Sequence, residues 1–403
     1  MRLVRALLLC TAAGLVLAWP ATASADVFNG RIAFSSLRSD PQGTSFDIFS
    51  MNPDGTGVRR LTTNPDGDRQ PDWSPSGRAI AYTIDKPDSP INFEVARMTA
   101  SGTDHRRLTT TATGEASSQP SWRPDARAIL FRRSGPTSRV GTIWQMGPLG
   151  EAPRLRLAPQ APPLYPSFSP DMGHVLYTAI LSPTGDTDRG IFSQDAIGSD
   201  VATLFDVAGA YDSAPAWSPD GSRIAFESDA DVDGANPERD MEIWVMGADG
   251  SDPRQITRNT AHDEGPSWSH EGGLLAYTSG PDERLGDIHV MTTDGRCVRR
   301  LTSFAGSDES PDWQAIPAPR TDRRCGDIPG KGSGARDVRR AGRGLSCAQA
   351  RALVRRWMQA RQPRRVRGYA ATVDDFGGTG RVQLRAGAGG ARRLVVFLHQ
   401  RTP

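Results

Sequence analysis

A short motif recurs six times along the chain: Pro71-Asp72-Trp73, Pro120-Ser121-Trp122, Pro166-Ser167-Phe168, Pro215-Ala216-Trp217, Pro266-Ser267-Trp268 and Pro311-Asp312-Trp313. Its aromatic residues stand 49, 46, 49, 51 and 45 residues apart. Nine residues after each of the first five comes a second aromatic (Tyr82, Phe131, Tyr177, Phe226 and Tyr277), closing an apolar triplet such as Ile80-Ala81-Tyr82. Turns such as Pro75-Ser76-Gly77 and Pro219-Asp220-Gly221 lie between the paired aromatics. Short β-rich runs follow, Asp47 to Met51, Glu242 to Met246 and Asp287 to Met291, then Asp-Gly turns and Arg-Leu-Thr endings. Four short strands repeated at this period make a propeller blade, because one such sheet cannot bury its faces without a neighbour.

The ends of the array define its closure. Gly30 to Thr62 supplies the second, third and fourth strands of a blade, whereas Pro311 to Ile316 supplies only a first strand. The spacing therefore predicts an all-β fold over residues 26–316, a six-bladed β-propeller whose last blade is assembled from both ends of the array. Such terminal-strand closure leaves no free sheet edge at the seam.

The 403 residues leave room for more than the ring. Residues 1–25 open with Arg2 and Arg5, run apolar from Ala6 to Ala18 and end in Ala23-Ser24-Ala25, the pattern of a secretory signal peptide. That run is shorter than the ~20 residues that cross a bilayer, and no later stretch approaches the length. The expectation is a protein that does not span the membrane and is secreted or held in the extracytoplasmic cell envelope. Removing the signal sets Cys10 aside and leaves Cys297, Cys325 and Cys347, enough for one bridge and one thiol. The sequence does not choose the pair, and no Cys/His spacing of a zinc site occurs.

A net charge of +2 conceals a division. Residues 26–316 carry 26 Lys and Arg against 41 Asp and Glu, while residues 317–403 carry 20 against 5. The Gly/Arg/Ser-rich stretch 317–344 reads as a linker. Beyond it, Ser346 stands as an N-cap before Ala350, Leu353, Val354 and Trp357, which share a helical face. Alternating runs follow near Arg381 to Leu384 and Arg393 to Leu398, so residues 345–403 are expected to form a small basic α+β module. Arginine is used almost to the exclusion of lysine, and no RNA- or DNA-reading motif is present, so no specific nucleic-acid partner is expected. The expected uses of the basic module are contact with an anionic cell-wall polymer or docking onto the acidic propeller.

In order, P-x-W-S-P-D-G, I-A-F, [DE]-I-[WF]-x-M, D-G and R-L-T resemble the WD40-like repeats of the TolB-type β-propellers. The best local match is Pro215 to Phe226 with Glu242 to Thr257, and the resemblance covers about residues 28–316. It is specific for fold and weak for activity. TolB has an α/β domain ahead of its propeller and binds a peptidoglycan-associated lipoprotein; here the propeller follows the signal directly, which argues against that partner. The expected function is that of a monomeric binding scaffold for a protein or peptide partner or an envelope glycan. The C-terminal module resembles small Cys-containing domains of secreted actinobacterial proteins, in which a helix with an S-C-x-x-A start precedes two or three strands; that resemblance leaves Cys347 to pair with Cys325.

The signature aromatics recur at a fixed place in every unit, which marks them as packing between blades and not as a ligand platform. Three residues before the signature proline, four units carry an acid: Asp68, Asp212, Asp263 and Asp308. Pseudo-sixfold rotation would gather these at one mouth of the channel as a site for cations or basic peptides; the alternative is that each caps its own turn or binds a neighbouring blade's backbone. In the loop from Asp229 to Asp240, acids at positions 1, 3, 5 and 12 and Gly234 at position 6 follow the spacing of a calcium loop. Asp229, Asp231, Asp233 and Asp240 are therefore candidate calcium ligands, against the alternative of an acidic hairpin insertion. No G-x-S-x-G occurs, and the six His make no H-x-H or H-E-x-x-H spacing, so no catalytic residue is assigned. A propeller enzyme, a polysaccharide lyase or hydrolase acting at the channel, is the alternative function.

Overall fold

The four-strand reading of the repeat holds in all six units. A computed structural model describes residues 27–40, 45–85, 93–135, 141–182, 188–196, 198–232, 234–282 and 285–317, and the backbone of six later strands between 323 and 401. The first blade is the antiparallel meander Gly67–Trp73, Ala79–Asp85, Phe93–Thr99 and Arg106–Arg107. Four blades of the same order follow, opening on Ala116–Trp122, Pro163–Phe168, Ser213–Trp217 and His262–Trp268. The sixth is composite: Asp308–Pro317 lies beside Val27–Ser36, followed by Asp47–Met51 and Arg59–Arg60.

The clasp pairs antiparallel from Val27 opposite Pro317 to Ser36 opposite Asp308, with register shifts between Asn29 and Ile32 and between Ala33 and Ser35. Gln314 fastens it on both sides, its Oε1 accepting from Arg31 N at 3.0 Å and its Nε2 donating to the Gly77 carbonyl of the first blade at 2.7 Å. Gly77 has φ +64, and a Cβ there would fall 1.8 Å from the Ala315 carbonyl oxygen, so only glycine permits this approach. The first strands of neighbouring blades touch all round the ring, which makes them innermost and the fourth strands, five of which bear arginine, outermost.

Six hydrophobic clusters hold the ring, one at each blade interface. Ile32, Phe34, Phe49 and Met51 of the composite blade pack on Ala276, Ile288 and Val290 of the fifth, with Trp313 between them. The other five clusters likewise draw residues from two consecutive blades, with Trp73, Trp122, Phe168 and Trp268 buried in four of them and Trp217 packed against the fifth. The signature aromatics are thus core, as their fixed position requires.

Two hydrogen-bonded devices explain other repeated letters. The threonine of Arg-Leu-Thr turns inward: Thr62, Thr109, Thr257 and Thr302 accept from the backbone N of Ile48, Val95, Ile243 and Ile288 at 2.8 to 2.9 Å. The same hydroxyls of Thr62, Thr109 and Thr302 donate to Asp47, Glu94 and Asp287, so the [DE]-I and R-L-T motifs are halves of one latch. The second device is a β-bulge in every first strand. The residue before the signature proline has positive φ in each blade: Gln70, Gln119, Tyr165, Ala214, Gly265 and Ser310, at 46° to 59°. Pairing slips there in all six sheets. Five of the freed N–H groups find acceptors on the preceding blade, at Ser35, Thr83, Gln119, Glu227 and Thr278.

The later strands form a separate unit, an antiparallel sheet in the order Arg323–Arg324, Ser333–Ala341, Arg393–Arg401, Thr379–Ala386, Tyr369–Phe376, Arg365–Val366. Residues 317–344, expected to be a linker, thus hold two of its strands. The apolar run from Leu394 to Leu398 lies on a central strand, both of whose edges need partners, and Ser333–Ala341 provides one. The helix expected from Ser346 to Met358 and the signal peptide lie outside the described residues, as do Cys325 and Cys347. Cys297 is disulfide-bonded.

Candidate functional site

Asp68, Asp212, Asp263 and Asp308 occupy equivalent places at the starts of their first strands, and every one is 0 % exposed. Each is held by groups of its own neighbourhood. Asn64 Nδ2 donates to Asp68 at 2.6 Å and Asn259 Nδ2 to Asp263 at 2.8 Å. Asp212 accepts from Ser228 Oγ and from Val207 N at 3.0 Å, and Asp308 from Ser36 Oγ and the Arg38 guanidinium. Burial pushes Asp68 and Asp212 up to about 7 and raises Asp263 and Asp308 as well. With no accessible surface, these four carboxylates cap blade junctions and offer nothing to a ligand in this conformation.

The acidic loop is likewise engaged internally. Asp229 Oδ1 accepts from Tyr211 N at 2.7 Å and lies 3.5 Å from the Arg239 guanidinium. Asp231 Oδ1 accepts from Asn236 N at 3.0 Å, and Asp233 is outside the described residues. The Asp240 carboxylate is buried without a hydrogen-bond partner, close enough to Glu242 for their charges to oppose. Among the described residues, which leave out Asp233, no three of His, Cys, Asp or Glu stand so as to hold a metal ion. The histidines are equally dispersed: His105 meets Tyr82 Oη at 3.1 Å, His270 Nε2 lies 2.6 Å from the Trp313 carbonyl, and His289 packs against Tyr277.

The structure does gather a polar cluster elsewhere, from the second to the fifth blade. Arg189, 7 % exposed, lies 3.7 Å from the centroid of the Tyr211 ring and 3.5 Å from Ser213 Oγ. Glu227 accepts from Gly265 N at 2.7 Å; burial raises its carboxyl and the Arg189 charge opposes the rise. The Tyr165 phenol is raised by burial and by Glu227, Tyr211 and Glu264, which places all four in one neighbourhood with Arg189. Arg132 Nε donates to the Pro163 carbonyl at 3.0 Å, two residues from Tyr165. These side chains stand where the innermost strands begin, the end of the ring that also carries the connections between second and third strands.

One signal in the sequence marks this cluster. The residue after the apolar triplet is Ser35, Thr83, Thr178 or Thr278 in four blades, but Arg132 and Glu227 in the other two. The hydroxyl is the usual latch for the neighbouring bulge, so the two charged exceptions mark where the inner wall changes character. Tyr165 lies at a bulge position that no sequence pattern distinguishes.

Deeper along the first strands, Asp72 Oδ2 accepts from Trp122 N at 2.7 Å, while Asp312 accepts from Trp73 N at 2.6 Å and from Ser267 Oγ at 3.2 Å. These two carboxylates stitch the inner strands together at three of the six blade junctions, and burial raises both.

A family model described as the TolB beta propeller domain matches residues 149–316. A curated relative, the Tol-Pal system protein TolB of Anaeromyxobacter dehalogenans, is 45 % identical over 53 residues, 13 % of this chain; the match spans about a tenth of that protein's length. Among solved structures, TolB from Acinetobacter baumannii superposes with a TM-score of 0.58 at 20 % identity, covering 71 % of this chain and 66 % of that one. A putative TolB from Agrobacterium tumefaciens gives 0.52 at 20 % identity over 71 % and 92 %. At such identities the structural likeness shows the fold. Residues 149–316 thus match the TolB beta propeller domain model, and the six blades with their composite seam give the chain a β-propeller fold.

Proposed function

We propose that the protein is an extracytoplasmic binding scaffold that holds a protein or peptide partner at the end of the ring where the first strands begin. The observation that carries this reading is the cluster of Arg132, Tyr165, Arg189, Tyr211, Glu227 and Glu264. Two tyrosines supply large rings with little rotamer freedom to lose, and charges of both signs beside them suit the amide and side-chain groups of an extended peptide. All six side chains rise from strands or strand ends of a closed ring, so little ordering is needed on binding. The amino-terminal signal pattern supports a location outside the cytoplasm, and the matched relative is named for the Tol-Pal system.

The test is capture of partners from an envelope extract by the full chain and by Tyr165→Ala, with thermal melting of both. The expected result is capture reduced at least about tenfold at an unchanged melting temperature. Undiminished capture by the variant would overturn the reading.

A further inference from the structure

Each blade ends on a fourth strand whose outer backbone groups face away from the sheet, an open template for another strand unless something guards it. In five blades charge does so: Arg59–Arg60, Arg106–Arg107, Arg154 with Arg156, Arg254, and Arg299–Arg300. Pro153 and Pro253 immediately precede two of these strands. Arg59 and Arg299 also reach across the blade boundary, donating to the carbonyls of Ala100 at 3.0 Å and Pro53 at 2.8 Å.

The third blade departs from this rule. Its edge strand, Val201–Phe205, reads V-A-T-L-F, with neither charge nor proline, and it is longer than the two-residue edges of four other blades. Val201 is 55 % exposed, and Ala202 and Thr203 are also exposed. The strand closes its sheet, paired with Arg189–Asp195 on one side only. Exposed Asp200 precedes it and exposed Asp206 follows it.

We propose that Val201–Phe205 is a docking edge that takes, as a fifth strand, an extended apolar segment of another protein flanked by a basic residue at each end. Main-chain hydrogen bonds along the strand supply the affinity. The two acids, about 20 Å apart on an extended chain, select cations spaced six residues apart. A second copy of this chain is the wrong occupant: antiparallel self-pairing centred on Thr203 sets Asp200 of each copy opposite Asp206 of the other, two like-charge contacts on one short ladder.

The probe is the labelled peptide Lys-Val-Thr-Val-Thr-Val-Lys, titrated at low salt into the full chain, with a Glu-ended version as control. Ala202→Arg combined with Thr203→Arg recreates the guarded edge of the fifth blade, since these residues hold the register of Arg299 and Arg300. The expected result is binding of the Lys-ended peptide at least about tenfold tighter than the Glu-ended one, and loss of at least about tenfold in the double variant. Should that variant not fold, Asp200→Lys with Asp206→Lys provides the second arm and is expected to reverse the peptide preference. Equal binding of both peptides, no binding, binding that survives the added arginines, or a dimer that those arginines dissociate would each overturn the proposal. Tyr165→Ala leaves this binding unchanged, which separates it from the site at the inner strands.

Discussion

Asp72 and Asp312 bind the inner strands with carboxylates that burial drives toward the protonated form, and Asp68, Asp212 and Glu242 are pushed up to about 7 by the same cause. A carboxyl whose folded pKa exceeds the unfolded value of about 4 holds its proton more tightly in the folded state. Stability is therefore greatest below about pH 4 as far as these groups decide it, and falls as the pH rises toward about 7. Asp312→Asn removes one such charge while keeping an acceptor for Trp73 N. It is expected to raise the melting temperature at pH 8 by the equivalent of about 1 kcal/mol and to change it little at pH 4.5, read by calorimetry; a lower melting temperature at pH 8 would contradict this. The acids before the signature prolines were legible as a repeated position, but their burial was not, because the bulge that orients the strand follows them by two residues and has no fixed residue type.

At the scale of elements, the bulge is the clearest case of structure the letters conceal. The six residues that adopt positive φ are Gln, Gln, Tyr, Ala, Gly and Ser, chosen by what each blade packs nearby and not by a shared backbone preference. Gly265 has open space where a Cβ would stand, its nearest neighbour being the Ser310 Cα at 4.0 Å, so Gly265→Ala isolates the conformational term. The expected cost is about 1 kcal/mol by denaturant unfolding, with Ala214→Gly close to neutral or stabilising; a neutral Gly265→Ala would contradict the assigned backbone. Strands and turns were legible because the aromatic spacing and the Pro-Asp-Gly turns fix their ends. The strand Ser333–Ala341 was not, since its Gly/Arg-rich composition carries no alternation, and only pairing with Arg393–Arg401 reveals it.

The whole molecule rests on closure. Six interfaces hold six apolar clusters, and the one joining the fifth and composite blades contains Trp313, which reaches the ring only through the terminal strand. Blade count and seam were readable because a partial repeat at each end of an array adds up to one whole. The polar cluster was hardly readable, because its side chains come from four blades and only Arg132 and Glu227 break a repeated letter. Native-state hydrogen exchange on the full chain tests the closure most directly. Amides of Val27–Ser36 and Asp308–Pro317 are expected to exchange as slowly as those of Arg223–Ser228 in the fourth blade, through one global opening. Exchange of the seam strands at least about a hundredfold faster, with the fourth blade still protected, would contradict a ring locked by its two ends.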